Sequence, residues 1–172
     1  MTGMAAALNR FISRSTDKCH PFFQLLHKWK DFRWTEECVT TFEDLKQYLS
    51  NPSILSRLEK EEGLYAYLAV TNHTVSLILV RNEDEIQRPV YYVSKSLQEA
   101  ETRYLPLEKA VLAIVHATRK FPHYFQAHTV VVLTQLPLQT LLRKSGYTSR
   151  IVKWGTRLGA YDVKYMPQTA VK

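Results

Sequence analysis

The sequence predicts an α/β protein in which an N-terminal helical segment precedes a five-stranded mixed sheet flanked by helices. Apolar residues recur at spacings of three and four through residues 1–50, which is the period of amphipathic helices. From Leu64 the pattern changes to the alternation and short apolar runs of strands. Up to Met166 the order reads β-β-β-α-β-α-α-β, which is typical of one compact unit.

Three helical pieces are predicted before residue 51. The first covers residues 3–12, and the second opens at Pro21. The third begins at Thr35, whose hydroxyl can cap the helix. The two glutamates that follow stabilise it, because their negative charge lies at the positive end of the helix dipole. Residues 51–63 form a charged linker that begins with a helix-ending Asn-Pro pair.

The remaining elements are predicted from pattern and turn residues. Three closely spaced strands favour an antiparallel meander, at 64–70, 74–80 and 89–94, with a polar loop at 81–87. A long helix is expected over 107–121, with Pro106 at its start. The last elements are a buried strand at 128–133, helices at 138–144 and 149–158, and a strand at 160–166.

The composition excludes several classes of protein. Of the 172 residues 45% are hydrophobic, which is enough for a core. No run approaches the ~20 apolar residues of a membrane span, and Asn9 and Arg10 interrupt the N-terminus too early for a secretion signal. Two cysteines are too few for a disulfide scaffold or a zinc module. We therefore expect an intracellular protein that is not secreted and has no membrane partner.

Positive charge is concentrated in the C-terminal third. The net charge is +7, and residues 109–172 carry ten Lys or Arg against one acid, Asp162. Such a balance favours a polyanionic partner, most often nucleic acid. A solvated basic face that neutralises an acidic neighbour in a longer parent chain explains the charge equally well.

Short motifs along the whole chain carry a resemblance. They are AALNRFI at 6–12, PFF at 21–23 and FRWT at 32–35, then RPVYYVS at 88–94, EK at 108–109 and VVLT at 131–134. The first three resemble the thumb and connecting segment of gypsy-like LTR-retrotransposon reverse transcriptases. The last three resemble the ribonuclease H-like domain that follows the thumb. The residues of these motifs are most similar to those of plant members of the family.

The resemblance implies a domain division and a set of partners. It makes residues 1–50 a helical thumb or connection segment, 51–63 a linker, and 64–172 a ribonuclease H-like domain that is degenerate and cut short at its C-terminus. The sequence has no Asp-Asp pair such as the polymerase palm uses. We therefore interpret the chain as a fragment whose partners are the palm and fingers of its parent polyprotein and an RNA–DNA hybrid or another nucleic acid.

The resemblance also implies a reaction, because ribonuclease H domains of this family cleave the RNA strand of a hybrid with two Mg²⁺ ions held by carboxylates. The aligned acid positions are occupied by Ala69, Ala110 and Gln135, and no acid follows Met166. Glu108 cannot stand in for position 110, because two helical residues are rotated by about 200°. We expect it on the solvent side, where it supports the helix start or pairs with a base. We therefore predict an inactive domain with no metal and no cofactor, and leave its status as an enzyme uncertain.

Basic residues are the remaining functional candidates. Those predicted to contact a nucleic-acid backbone are Arg10, Arg14, Lys18, Arg119, Lys120, Arg143, Lys144, Arg150 and Lys153. Such contacts are independent of sequence and weaken as salt rises. The histidines, including His116 and His123, are interpreted as ordinary surface or core residues.

Two alternatives stay open beside the non-catalytic interpretation. The first is an active RNA–DNA hybrid nuclease, as the family name implies. The second is a host-recruited nucleic-acid-binding protein without an enzymatic role.

Overall fold

A computed structural model provides the structure of the chain and describes residues 12–27, 33–50, 55–56, 58, 62–84, 86–143 and 149–168. The predicted fold class is confirmed, because a five-stranded mixed sheet carries helices on its faces. Most of the helix predicted over 3–12 lies outside the described residues, as do Arg10 and Lys144. None of the helices in the described ranges has the length and apolar content that a membrane crossing requires.

The described helices are α1 Ser15–Lys18, α2 His20–His27, α3 Glu36–Ser50, α4 Glu99–Thr102, α5 Pro106–Lys120, α6 Pro122–Ala127, α7 Leu138–Arg143 and α8 Ser149–Leu158. The strands are β1 Leu64–Val70, β2 Thr74–Glu83, β3 Ile86–Ser96, β4 Val130–Leu133 and β5 Val163–Met166. Their order in the sheet is β3-β2-β1-β4-β5. β1, β2 and β3 form the predicted antiparallel meander, whereas β4 runs parallel to β1, and β5 parallel to β4.

The polar loop predicted at 81–87 is wrong. β2 and β3 continue through it as a hairpin that pairs Glu83 with Ile86, and Asp84 turns the chain with a φ of 50°, a conformation that Asp tolerates. Glu83 pairs across the hairpin with Arg88 at 2.7 Å, and along its own strand with Arg81 at 3.5 Å. Ion pairs thus replace the apolar alternation by which strands are recognised in a sequence.

The main core lies between one face of the sheet and α5. Leu64 and Ala66 of β1 and Val130 and Val132 of β4 belong to the same buried cluster as this helix, and all four are fully buried. α8 packs against α5 as well, through a stripe that includes Ile151. Because the sheet and α8 both contact it, α5 is buried over most of its surface rather than on the single stripe that its period predicts.

Candidate functional site

Two of the three positions aligned with the family's acids lie at one end of the sheet. Ala69 is the penultimate residue of β1, and Gln135 follows β4 by two residues. The parallel pairing of Tyr67 with Leu133 puts the two positions level with each other. A methyl group and an exposed amide therefore stand where the carboxyl ends of two neighbouring strands meet.

Ala110 lies on the other side of the sheet from Ala69. It belongs to α5 and is fully buried in the core, with 0% of its surface exposed. Successive strand residues point to opposite faces, so Leu68 and Val70, which pack against that core, direct Ala69 away from it. The structure thus brings Ala69 and Gln135 to one edge and keeps Ala110 behind the sheet.

The neighbouring acid Glu108 supports the start of α5 and pairs with a base, as predicted, but its predicted position on the solvent side is wrong. Its Oε2 accepts a hydrogen bond from the backbone N–H of Leu105 at 3.0 Å, and its Oε1 lies 3.9 Å from Nη2 of Arg150. The side chain is only 15% exposed, so it lies against the protein rather than in open solvent. Both contacts stabilise the start of the helix.

A buried lysine adjoins the third position, which the sequence did not indicate. Lys109 is 6% exposed, and its ammonium donates to the carbonyl oxygen of Asn72 at 3.2 Å. Asn72 lies in the turn between β1 and β2, three residues beyond Ala69. A resident positive charge therefore lies close to the end of β1.

The residues described do not fit a two-metal site. No three His, Cys, Asp or Glu side chains in the described ranges lie close enough together to share an ion. Mg²⁺ requires hard oxygen ligands, and paired carboxylates usually supply them. Ala69, Ala110 and Gln135 offer no such oxygen, apart from one neutral amide.

The N-terminal segment covers part of the sheet face that carries Ala69. Ser13 and Arg14 line an open cavity of about 190 Å³ whose walls also include Ala69, Ser76 and Tyr92. We name the contact of residues 12–18 with this face the N-terminal seat. Ile12, which begins it, is fully buried.

Hydrogen bonds fasten the N-terminal seat. The backbone N–H of Thr16 donates to Oγ of Ser94 at 3.2 Å, and Ser94 in turn lies 3.1 Å from Oγ of Ser76. The carboxylate of Asp17 accepts from the hydroxyl of Thr74. The sequence carried one signal of this seat, because small polar residues alternate with apolar ones on two buried strands.

The two predicted basic residues in this segment make internal contacts. Nε of Arg14 lies 2.9 Å from Oδ2 of Asp17. Nζ of Lys18 lies 3.7 Å from the centre of the Tyr48 ring and 3.4 Å from Oγ of Ser13. These side chains therefore hold the N-terminal elements together.

The other predicted basic residues divide into an exposed set and one anchored residue. Arg119 and Lys120 at the end of α5, Arg143 at the end of α7 and Lys153 on α8 are exposed. Arg150 is different, because its guanidinium lies 3.9 Å from the centre of the Tyr104 ring and 5.9 Å from that of Trp154. It anchors α8 to the start of α5 through cation–π contacts.

Fold and site together define a class: a ribonuclease H-like α/β domain, joined to N-terminal helices, without a carboxylate cluster in its described part. The chain belongs to the family of RNase H-like domains found in reverse transcriptase, whose model matches residues 34–132.

Relatives of the chain are retrotransposon polyproteins. It is 25% identical over 126 residues to the transposon Tf2-3 polyprotein of Schizosaccharomyces pombe, and equally similar to Tf2-4, with 73% of this chain and 10% of each polyprotein covered. The chain thus spans about a tenth of the length of these curated relatives.

Solved structures share its fold. A foamy viral protease-reverse transcriptase in complex with RNA/DNA hybrid superposes with a TM-score of 0.80 at 17% identity, over 99% of this chain and 24% of that one. A second, described as dRH and in complex with ds DNA, gives a TM-score of 0.74 at 19% identity, over 96% and 30%. The predicted resemblance to a retrotransposon reverse transcriptase is thereby confirmed at the level of the family and the fold.

Proposed function

We propose that this chain is a non-catalytic ribonuclease H-like part of a retrotransposon reverse transcriptase, and that it holds an RNA–DNA hybrid by its phosphate backbone. The observation that carries the proposal is the occupation of the three acid positions by Ala69, Ala110 and Gln135. Two-metal hydrolysis needs carboxylates that bind both ions and position the attacking water. Without them the domain keeps its architecture and loses the reaction.

Two further observations support the loss of catalysis. The N-terminal seat covers part of the face at Ala69, which limits access to that position. The buried ammonium of Lys109 near the end of β1 repels any divalent cation that approaches.

Charge supports the binding role. Four exposed side chains provide positive charge, those of Arg119, Lys120, Arg143 and Lys153. They are not held in a fixed geometry such as the recognition of a base would need. Two structural neighbours with the same fold are complexes, one with RNA/DNA hybrid and one with ds DNA. Backbone contacts of this kind give affinity without sequence preference.

The parent protein is also part of the proposal. We place residues 1–50 in its thumb or connection segment, with 51–63 as the linker and 64–172 as the ribonuclease H-like domain. The palm and fingers of the same polyprotein are the protein partners. The motif RPVYYVS at 88–94 supports a gypsy-like element of plant type.

Binding is tested by fluorescence anisotropy of a labelled RNA–DNA hybrid at several salt concentrations. We expect log K to fall linearly with log salt, and the variant Lys153→Gln to reduce that slope by about 1. Lys46→Gln is the matched control, because it removes one exposed positive charge on α3 and leaves the slope unchanged. No binding at low salt, or an equal effect of both variants, would contradict the binding role.

A further inference from the structure

A cavity of about 200 Å³ lies between α7, α8 and β5, which is an edge strand of the sheet. We name it the β5 cavity. Tyr161, Val163 and Tyr165 line it from the strand side and alternate along the chain, so they point to one face of the sheet. All three pack against the main core, which places the β5 cavity on the α5 side and apart from the N-terminal seat.

Two glycines leave the α8 side of the β5 cavity open. Gly155 lies within α8, and a Cβ atom there would come within 3.2 Å of the carbonyl oxygen of Leu142, so α7 and α8 approach closely at this point. Gly159 follows the last residue of α8. Both glycines line the β5 cavity, and neither has a side chain that could fill it.

The β5 cavity has an apolar and aromatic inner wall and a polar entrance. Leu158 is buried, and Tyr161 and Tyr165 are half-buried. Gln139 and Arg143 of α7 line the same cavity and are exposed. Aromatic rings therefore lie inside a space whose entrance carries an amide and a guanidinium.

The polar groups of the β5 cavity are available to a ligand. Within the described part of the chain, no hydrogen bond or ion pair engages the side chains of Gln139, Arg143 or Tyr165. Burial raises the pKa of Tyr165 to about 12, so its phenol keeps its proton at neutral pH and can donate. The amide of Gln139 can both donate and accept.

We propose that the β5 cavity binds one unpaired base of a nucleic-acid strand. The rings of Tyr161 and Tyr165 provide an aromatic surface for the base, and Gln139 hydrogen-bonds to its edge. Arg143, at the entrance, contacts the adjoining phosphate. This inference rests on the proposed function, because it adds a base site to a chain that holds a hybrid by its phosphates.

The size of the β5 cavity limits what can enter it. Sites for drug-sized ligands begin at about 300 Å³, so about 200 Å³ suits one base and not a base pair. The bases of a fully paired hybrid are stacked on one another, whereas those of a single strand can be turned outwards. The ligand is therefore a base in a single-stranded overhang of the hybrid, and every type of base has the aromatic face that this contact needs.

The first experiment measures the affinity of the chain for three labelled RNA–DNA hybrids by fluorescence anisotropy. The first hybrid is blunt, the second carries a short single-stranded overhang, and the third carries an overhang of the same length whose sugars lack bases. We expect the overhang with bases to bind about fivefold or more tightly than the abasic one, which is the effect of stacking one base. The abasic overhang keeps the phosphates, so equal affinity for the two overhangs overturns the site.

Variants at the β5 cavity locate the base. Gln139→Ala removes the amide from an exposed position, and Tyr165→Leu removes the ring while keeping an apolar side chain. Each should bring the affinity for the overhang with bases closer to that for the abasic one. Thr140→Ala is the matched control, because it is exposed on the same helix but does not line the cavity, and it should keep the wild-type preference. An equal preference in Gln139→Ala and Thr140→Ala contradicts the site, and this pair does not depend on the packing of β5.

A fluorescent adenine analogue in the overhang reports stacking directly. Its emission is quenched when it lies against an aromatic ring, so we expect quenching on binding to wild-type protein and to Thr140→Ala. Tyr165→Leu should quench it less. Equal quenching by all three proteins would place the base elsewhere and contradict the site.

The outcomes separate this site from the proposed function. If blunt hybrid binds but the two overhangs have equal affinity, the base site is wrong and the proposed function stands. If blunt hybrid does not bind but the overhang is quenched in a way that Gln139→Ala abolishes, the base site stands and the proposed function fails. A free mononucleotide presents the same base and phosphate, and adenosine monophosphate is its probe in equilibrium dialysis. Binding of this probe without any preference for the overhang with bases would show that the ligand is a free nucleotide, and would overturn the strand-borne base.

Discussion

The two faces of the sheet differ in how they are closed. On the α5 face, apolar side chains such as Ala66, Val132 and Ile114 leave no exposed surface. On the opposite face, the N-terminal seat is held by hydrogen bonds and leaves a cavity of about 190 Å³ at Ala69. The stability of the fold therefore depends mainly on the α5 face, whereas Ala69 lies on the opposite face.

This separation places the three aligned positions in different surroundings. Ala69 and Gln135 lie at the edge of the sheet, whereas Ala110 belongs to the apolar core. A carboxylate at position 110 would therefore be buried without a partner, whereas one at position 135 would remain in contact with water.

The largest expected effect comes from placing a carboxylate on the closed face. Ala110→Glu places a charge among fully buried apolar groups, and we expect it to cost about 3 kcal/mol or more of unfolding free energy. Urea unfolding followed by circular dichroism measures the loss. Gln135→Asp, which adds an acid at an exposed position, is the control and should stay within about 0.5 kcal/mol of wild type.

Equal stability of these two variants would remove the distinction between the faces. It would mean that α5 moves away from the sheet easily enough to hydrate a glutamate at position 110.

A smaller and more local effect is expected on the opposite face. Ser94→Ala leaves the N–H of Thr16 without its acceptor, which costs about 1–3 kcal/mol for a buried donor. Amide hydrogen exchange should become faster at Thr16 while the amides of α5 keep their protection. Ser96→Ala, two residues further along β3 and exposed, is the matched control. Loss of protection throughout the chain would show that the N-terminal seat and the core unfold together.

The helices and strands whose apolar residues follow a regular spacing could be predicted from the sequence. The bounds of β1 are those predicted, and α5 differs by one residue at each end. The small polar residues of β2 and β3 were the only signal of the N-terminal seat, and the segment that occupies it was not predictable, because Thr16 and Ser94 are 78 residues apart in the sequence. The same holds for the candidate site. The residue types at positions 69 and 135 are given by the sequence, but the burial of Lys109 depends on a distant contact with Asn72 in the turn between β1 and β2.

The smallest effect concerns pH. The pKa of His116 falls from 6.5 to about 4 on folding, mainly through burial, so the unfolded chain takes up the proton first as the solution becomes acid. The contribution of His116 to stability is therefore complete above pH 6.5 and declines as pH falls towards 4. His116→Gln should lose less stability than wild type between pH 7 and pH 5, measured as the shift of the urea midpoint. Parallel losses in both proteins would contradict the low pKa.

The most direct measurement of the central claim incubates the purified chain with an RNA–DNA hybrid labelled on its RNA strand, in Mg²⁺ and separately in Mn²⁺. The products are separated on a denaturing gel, and an active ribonuclease H serves as the positive control. The account predicts that the hybrid is retained at low salt and its RNA strand stays intact at every metal concentration. RNA cleavage that EDTA abolishes and that co-purifies with the folded chain would contradict it.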